Sequence, residues 1–134
     1  MKINNVVVIG SGTMGSGIAA HLCNANIPVT LLDLKTDISK RARDKIFKSR
    51  PPLLFDKSKV NNIKIGNIND DFDVVKKADW IVEAVVEKIN IKHDIYEKIF
   101  KNRKEGSIVS SNTSTIPLKI LSEKLSNLDK KDFC

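Results

Sequence analysis

Val6-Val7-Val8-Ile9-Gly10-Ser11-Gly12-Thr13-Met14-Gly15 is the stretch that decides the fold. An apolar run, read as a strand, enters a Gly-x-Gly-x-x-Gly turn and then a helix-like stretch from Ser16 to Asn24. A second apolar run, Ile27 to Leu32, ends on Asp33. Each part has its own job in holding a dinucleotide. Gly10 takes the tight turn out of the strand. Gly12 lacks a Cβ, so a pyrophosphate can approach the backbone, and Gly15 lets the helix lie close to the sheet. The first N–H groups of that helix have no intrahelical partner, and its dipole adds about 0.3–1 kcal/mol of attraction for an anion. Asp33 stands 23 positions after Gly10, at the end of the second strand. Its carboxylate can accept hydrogen bonds from ribose hydroxyls and would repel a 2′-phosphate, so NAD is expected over NADP. Lys35 weakens that preference slightly. Glycine turns are common in purely structural roles; the preceding strand, the following helix and the acid at this distance favour the nucleotide reading.

The chain has 134 residues and a formal charge of +7, enough for one domain with a real core, residues 1–134. No apolar run approaches the roughly 18 residues of a membrane helix. Met1 lies almost on the first strand, so no cleaved signal is expected. Cys23 and Cys134 make no disulfide framework, which fits a reducing, cytoplasmic setting. The basic balance is not read as nucleic-acid binding: aromatic residues number seven and interleave with no basic stripe. The densest basic segment, Lys35 to Arg50, carries Lys40, Arg41, Arg43, Lys45 and Lys48. It reads as a solvated helix face, or else as a landing surface for a phosphorylated carrier such as coenzyme A.

Strand and helix alternate along the chain, which is expected of an α/β fold: a Rossmann-type open, mainly parallel sheet with helices on both faces. Strands are expected at about 4–10, 28–33, 63–65, 80–84 and 107–111. Helix one starts near Thr13 and puts Met14, Ile18 and Leu22 on one face. A basic helix runs from Asp37 to Lys48 and stops at Pro51-Pro52. A short helix follows Asp70-Asp71 to Ala78. Trp80 to Ala84 is nearly continuous apolar, as a strand buried on both faces should be. The next helix carries Ile91, Ile95 and Ile99, and a last one is expected from Pro117 to Leu125. Ligands in such sheets sit at the carboxyl ends of the strands. The segments Gly10–Gly15, Ala84–Lys92 and Ser111–Ser114 emerge there and should meet in one crevice.

Three blocks carry a family resemblance: Val8-Ile-Gly-Ser-Gly-Thr-Met-Gly-Ser-Gly-Ile-Ala, Trp80-Ile-Val-Glu-Ala-Val-Val-Glu and Ile108-Val-Ser-Ser-Asn-Thr-Ser. Together the chain resembles the NAD-binding N-terminal domain of 3-hydroxyacyl-CoA dehydrogenases. Arg50-Pro-Pro-Leu-Leu-Phe and Ile65-Gly-Asn-Ile-Asn-Asp-Asp-Phe72 resemble the prokaryotic branch fused to an enoyl-CoA hydratase. The resemblance implies oxidation of (S)-3-hydroxyacyl-CoA to 3-oxoacyl-CoA in fatty acid β-oxidation, with NAD as cofactor, an acyl-CoA substrate, and a homodimer or a hydratase fusion as the assembled enzyme. It implies cofactor contacts from Gly10, Ser11, Gly12, Thr13, Met14, Gly15 and Asp33 on one side. On the nicotinamide side it implies Ala84, Val85, Glu87, Lys92, Asn112 and Ser114. Ser114 matches the serine that hydrogen-bonds the reacting oxygen; Asn112 has only a positioning role.

The family's general base is a histidine in a block that should begin near Phe133 and is not found in residues 1–134. His21 and His93 sit within helices and do not replace it. The substrate and dimerisation domain is likewise expected outside these residues, so the chain alone should bind NAD and turn over little substrate. Two alternatives stay open: a non-catalytic NAD-binding module, and another NAD-dependent hydroxyacid dehydrogenase, since Gly-x-Gly-x-Met-Gly also occurs among 3-hydroxyisobutyrate-type enzymes. Glu87 and Lys92 also read as two charges at a helix start, and Ser114 with Thr115 as a helix cap.

Overall fold

Five parallel strands, β1 (Val6–Ile9), β2 (Val29–Asp33), β3 (Ile63–Asn67), β4 (Trp80–Glu83) and β5 (Ile108–Ser111), lie in the order β3-β2-β1-β4-β5 in a computed structural model that describes residues 1–134. The first three strands build outward from β1 to one side, and β4 and β5 build to the other. The reversal falls between β1 and β4, where open α/β sheets form their ligand crevice. β1 runs in register with both neighbours, Val6 beside Val29 and Trp80, Ile9 beside Leu32 and Glu83. The carboxyl ends of the central strands are therefore level.

Alternate strand residues face opposite sides. Val6, Val8, Val29, Leu31 and Val82 pack with Ala19, Ala20 and Cys23 of α1 (Thr13–Asn24) and Ala42 and Ile46 of α2 (Thr36–Lys48). Val7, Ile9, Leu32, Ile81 and Val109 pack with Ile95, Tyr96 and Ile99 of α3 (Ile89–Asn102) and Leu121 of α4 (Leu118–Leu121). Both faces of the sheet are covered, which is why the strands read as apolar runs rather than as alternation.

The elements agree with the expected alternation, and several details differ. The face of α1 that meets the sheet is Gly15, Ala19, Ala20, Leu22 and Cys23. Of the expected trio Met14, Ile18 and Leu22, only Leu22 is in the core; Met14 is 57% exposed. Small residues let α1 approach the sheet closely, and Met14 is left at the mouth of the crevice. In α3, Ile95 and Ile99 are buried, but Ile91 is exposed. The segment after Asp70-Asp71 is a 3-10 turn, Phe72–Lys77, anchored by buried Phe72 and Val75. Another 3-10 turn, Lys57–Asn62, follows Asp56, whose carboxylate accepts the Ser58 N–H at 3.0 Å.

The helix expected over 117–125 is only the single turn α4. Beyond Ser122 the chain turns so that Leu125 and Phe133 reach the α3 side of the core. Phe133 meets Tyr96 edge-on at 5.0 Å and forms a parallel bridge with Val109. Cys23 is buried and Cys134 exposed, both unpaired. No helix is long and apolar enough to cross a membrane.

Candidate cofactor site

The three segments expected to converge do so. They wall a cavity of about 580 Å³ at the carboxyl ends of the strands. Its floor is the turn Gly10–Met14, with Asp33, Leu34 and Ile68 at the β2–β3 end and Val85, Glu87, Asn112 and Ser114 at the β4–β5 end.

The glycines of the turn differ in what confines them. Gly10 has φ +103°, and a Cβ there would overlap the Ala84 carbonyl. A Cβ at Gly15 would overlap the Gly10 carbonyl oxygen, so the close approach of α1 is to the turn itself. Gly12 is unconfined: a Cβ there meets nothing within 4 Å. Gly12 is also the N-cap of α1 and supplies no side-chain acceptor, so the first-turn N–H groups are open to an outside anion. A cradle that is empty at Gly12 and lined by free N–H groups suits a pyrophosphate.

Asp33 is held from below. Its Oδ2 accepts the Ser11 N–H at 2.7 Å and the Ser11 hydroxyl at 2.5 Å, and its Oδ1 accepts the Leu34 N–H at 2.7 Å. An ionised carboxylate offers about four acceptor positions, so one remains for a ligand hydroxyl. Ser11 is buried and spends its hydroxyl on Asp33. Its role is to orient the acid.

At the opposite end a second carboxylate, Glu83, is the hub of a buried network. Its Oε1 accepts from Lys92 Nζ at 2.7 Å and the Val85 N–H at 2.8 Å. Its Oε2 accepts from the hydroxyls of Tyr96 at 2.5 Å and Ser111 at 2.6 Å. Burial pushes the Tyr96 hydroxyl pKa upward, and the hydrogen bond to Glu83 adds to the rise. Lys92 is fully buried and is not part of the cavity wall; its ammonium also lies 3.0 Å from Glu87 Oε1. Glu87 does reach the cavity. Its Oε2 accepts the hydroxyls of Thr113 at 2.8 Å and Thr115 at 2.7 Å. The Thr115 hydroxyl, the Lys92 ammonium and the Thr113 hydroxyl hold its pKa at about 2.

Thr113, not Ser114, serves the turn after β5: its Oγ1 accepts the Ile116 N–H at 3.1 Å. Ser114 is exposed on the cavity wall, and Asn112 is fixed by its N–H to the Glu83 carbonyl at 2.8 Å. Neither histidine lines the cavity. His21 is exposed in the last turn of α1, and His93 is buried with Nε2 3.0 Å from the Ile120 carbonyl oxygen. No residue of the basic helix α2 lines the cavity, and Arg43 donates to the Ile63 carbonyl at 3.2 Å.

Sequence reasoning did not assign roles to Glu83, Tyr96 and Ser111, nor to Leu34 and Ile68. One signal was available. Glu83 is an acid inside a strand expected to be buried on both faces, and a buried charge must be paired and hydrogen-bonded.

The family model for the NAD binding domain of 3-hydroxyacyl-CoA dehydrogenase matches residues 5–133. The chain belongs to this family. Its cofactor is accordingly NAD, and the hydroxyisobutyrate-type alternative falls away. This NAD-binding domain is similar to the "Probable 3-hydroxyacyl-CoA dehydrogenase" of Deinococcus radiodurans, with 43% identity over 88% of the chain and 36% of the relative. It is 36% identical to the peroxisomal fatty acid beta-oxidation multifunctional protein of Arabidopsis thaliana, over 96% of the chain and 18% of the relative. The crystal structure of the dehydrogenase part of multifunctional enzyme 1 from C. elegans superposes with a TM-score of 0.79 at 29% identity, covering 99% of the chain and 31% of that protein. The chain thus spans between about a fifth and about a third of the length of these proteins.

Proposed function

We propose that the cavity binds NAD across the switch point, with adenosine at Asp33, the pyrophosphate over Gly10–Gly15 and the nicotinamide end between Glu87 and Ser114. We further propose that the chain supplies the cofactor half of the oxidation of (S)-3-hydroxyacyl-CoA to 3-oxoacyl-CoA in fatty acid β-oxidation. The observation that carries the reading is the two-ended cavity: a carboxylate with one free acceptor position at β2, an uncapped glycine turn at β1, and an unused serine hydroxyl at β5. NAD, when bound, supplies the acceptor for hydride. The chain's own residues orient and polarise. Ser114 donates a hydrogen bond to the substrate's 3-oxygen, Asn112 holds the β5 turn in place, and Glu87 fixes Thr113 and Thr115 on either side of Ser114. Ala84, Val85 and Met14 offer apolar wall.

No histidine of this chain lines the cavity, and the family's general-base histidine is expected outside residues 1–134. A positioned base contributes roughly 10²–10⁴ in rate. The chain alone therefore binds cofactor and turns over little acyl-CoA. The assembled enzyme would be a homodimer or a fusion with enoyl-CoA hydratase. The unpaired cysteines fit a reducing cytoplasm.

The test is a titration of the chain with NADH, read by nicotinamide fluorescence. Trp80 begins β4, at the end of the sheet away from the cavity, and is the poorer reporter. Saturable binding, tighter than NADPH and weakened by Asp33→Ala, is expected. Absence of saturation, or tighter NADPH, overturns the reading.

A further inference from the structure

We infer that Glu87 gives the site a redox-state preference: its fixed negative charge favours the cationic, oxidised nicotinamide over the neutral, reduced one. The inference rests on the reading above that the nicotinamide end of NAD lies at β4–β5. Strand order supports that placement, since Asp33 ends β2 and Glu87 follows β4, on opposite sides of the glycine turn that follows β1.

The charge count at this end does not cancel. Glu83 and Glu87 share one cation, Lys92, whose Nζ lies 2.7 Å from one and 3.0 Å from the other. The other side chains bonded to these carboxylates, Tyr96, Ser111, Thr113 and Thr115, are neutral hydroxyls. Two carboxylates and one ammonium leave a net charge of −1. The N-terminus of α3 returns about half a positive charge at most, and Lys88 is exposed, where water and salt screen it. The surplus therefore stays negative.

The surplus is also held where it acts. Glu83 and Lys92 are sealed from water, whereas the Glu87 side chain keeps 39% of its exposure and lines the cavity. Lys92 grips one oxygen of Glu87 and two threonine hydroxyls grip the other, so the carboxylate is fixed in place. A unit charge held about 6 Å from a cation, at an effective dielectric of about 40, would change a binding equilibrium about tenfold. Reduction removes the ring's positive charge, so the attraction applies to the oxidised form alone.

The experiment is calorimetric titration of the chain and its Glu87→Gln variant with NAD+, NADH and ADP-ribose. ADP-ribose shares the adenosine and pyrophosphate contacts and lacks the nicotinamide ring. In Glu87→Gln, Kd for NAD+ is expected to rise about tenfold, with NADH and ADP-ribose within about twofold. Glu87→Asp keeps the charge and should retain most of the NAD+ affinity; Glu87→Ala serves as a second neutral variant should the glutamine disturb Lys92. Equal losses for all three ligands would make Glu87 only a loop anchor and overturn the inference. So would unchanged affinities throughout, or a loss in Glu87→Asp equal to that in Glu87→Gln. Failure of the wild-type chain to bind ADP-ribose or NADH would instead bring down the placement of NAD, and the inference with it.

Discussion

The Lys92 ammonium lies 2.7 Å from Glu83 Oε1, with both side chains sealed from water. The pair ties α3 to the end of β4, and through Ser111 to β5. Burying two charges costs several kcal/mol each unless their remaining positions are satisfied. Here four donors surround Glu83, and no buried side-chain polar atom of the chain is left without a partner. What the arrangement secures is position: the cavity wall at Val85, Glu87 and Asn112 hangs from this one carboxylate and its residue's backbone carbonyl.

Removing one member should therefore cost far more than removing both charges. Lys92→Met strands Glu83 and is expected to lower the unfolding free energy by about 3–5 kcal/mol. Adding Glu83→Gln in that background should recover a large part of the loss. Urea denaturation of the four proteins of a double-mutant cycle measures the coupling; additive losses would refute it.

Gly15 and Gly12 should separate folding from binding. Gly15→Ala forces a methyl group into the Gly10 carbonyl and is expected to destabilise the chain by at least about 1–3 kcal/mol. Gly12→Ala meets no protein atom, so its melting temperature should stay near wild type while NADH affinity falls. Thermal melts beside NADH titrations distinguish the two.

Acid should weaken the fold through Asp79 and Glu87. The Lys104 ammonium, with the N–H groups of Asn4 and Asn5, holds the Asp79 carboxyl at about 2, below its ordinary 3.8. Glu87 is held at about 2, below 4.5. Both folded-state values are depressed, so these contributions are complete above pH 4.5 and are lost as pH falls toward 2. Urea midpoints measured across that window should decline, and Asp79→Asn should flatten the decline. An unaltered slope would remove Asp79 from the account.

Ser114 and Thr113 should behave oppositely. Thr113→Val deprives the Ile116 N–H of its acceptor and is expected to cost about 1 kcal/mol. Ser114→Ala should leave stability within about 0.5 kcal/mol, because its hydroxyl serves no turn. A loss for Ser114→Ala equal to that for Thr113→Val would return Ser114 to a capping role.

Much of the Asp33 end of the cavity was legible in the residues. The strand, the turn and Asp33 follow from neighbours in the chain: apolar residues in a run, glycines where a Cβ has no room, and an acid at the end of the next strand. The α1 face was less legible. Met14, Ile18 and Leu22 have helical spacing, yet the sheet meets Gly15, Ala19 and Cys23, since a helix of small residues packs closest on its smallest side. The last helix was overread because Leu121 and Leu125 have helical spacing, yet the regular helix ends at Leu121 and Leu125 reaches the same core from the turns that follow.

The sequence by itself determined the alternating α/β architecture, the glycine cradle and the acid that faces it, because those depend on backbone preferences and periodicity within about thirty residues. Only the tertiary structure decided that Lys92 points inward, that Ser11 serves Asp33, and that Glu83 gathers Lys92, Tyr96 and Ser111. Those partners stand 9, 13 and 28 residues from Glu83. Their meeting depends on the parallel register of β4 with β5 and on the face α3 turns to the sheet, which packing of the whole domain fixes and no local pattern announces.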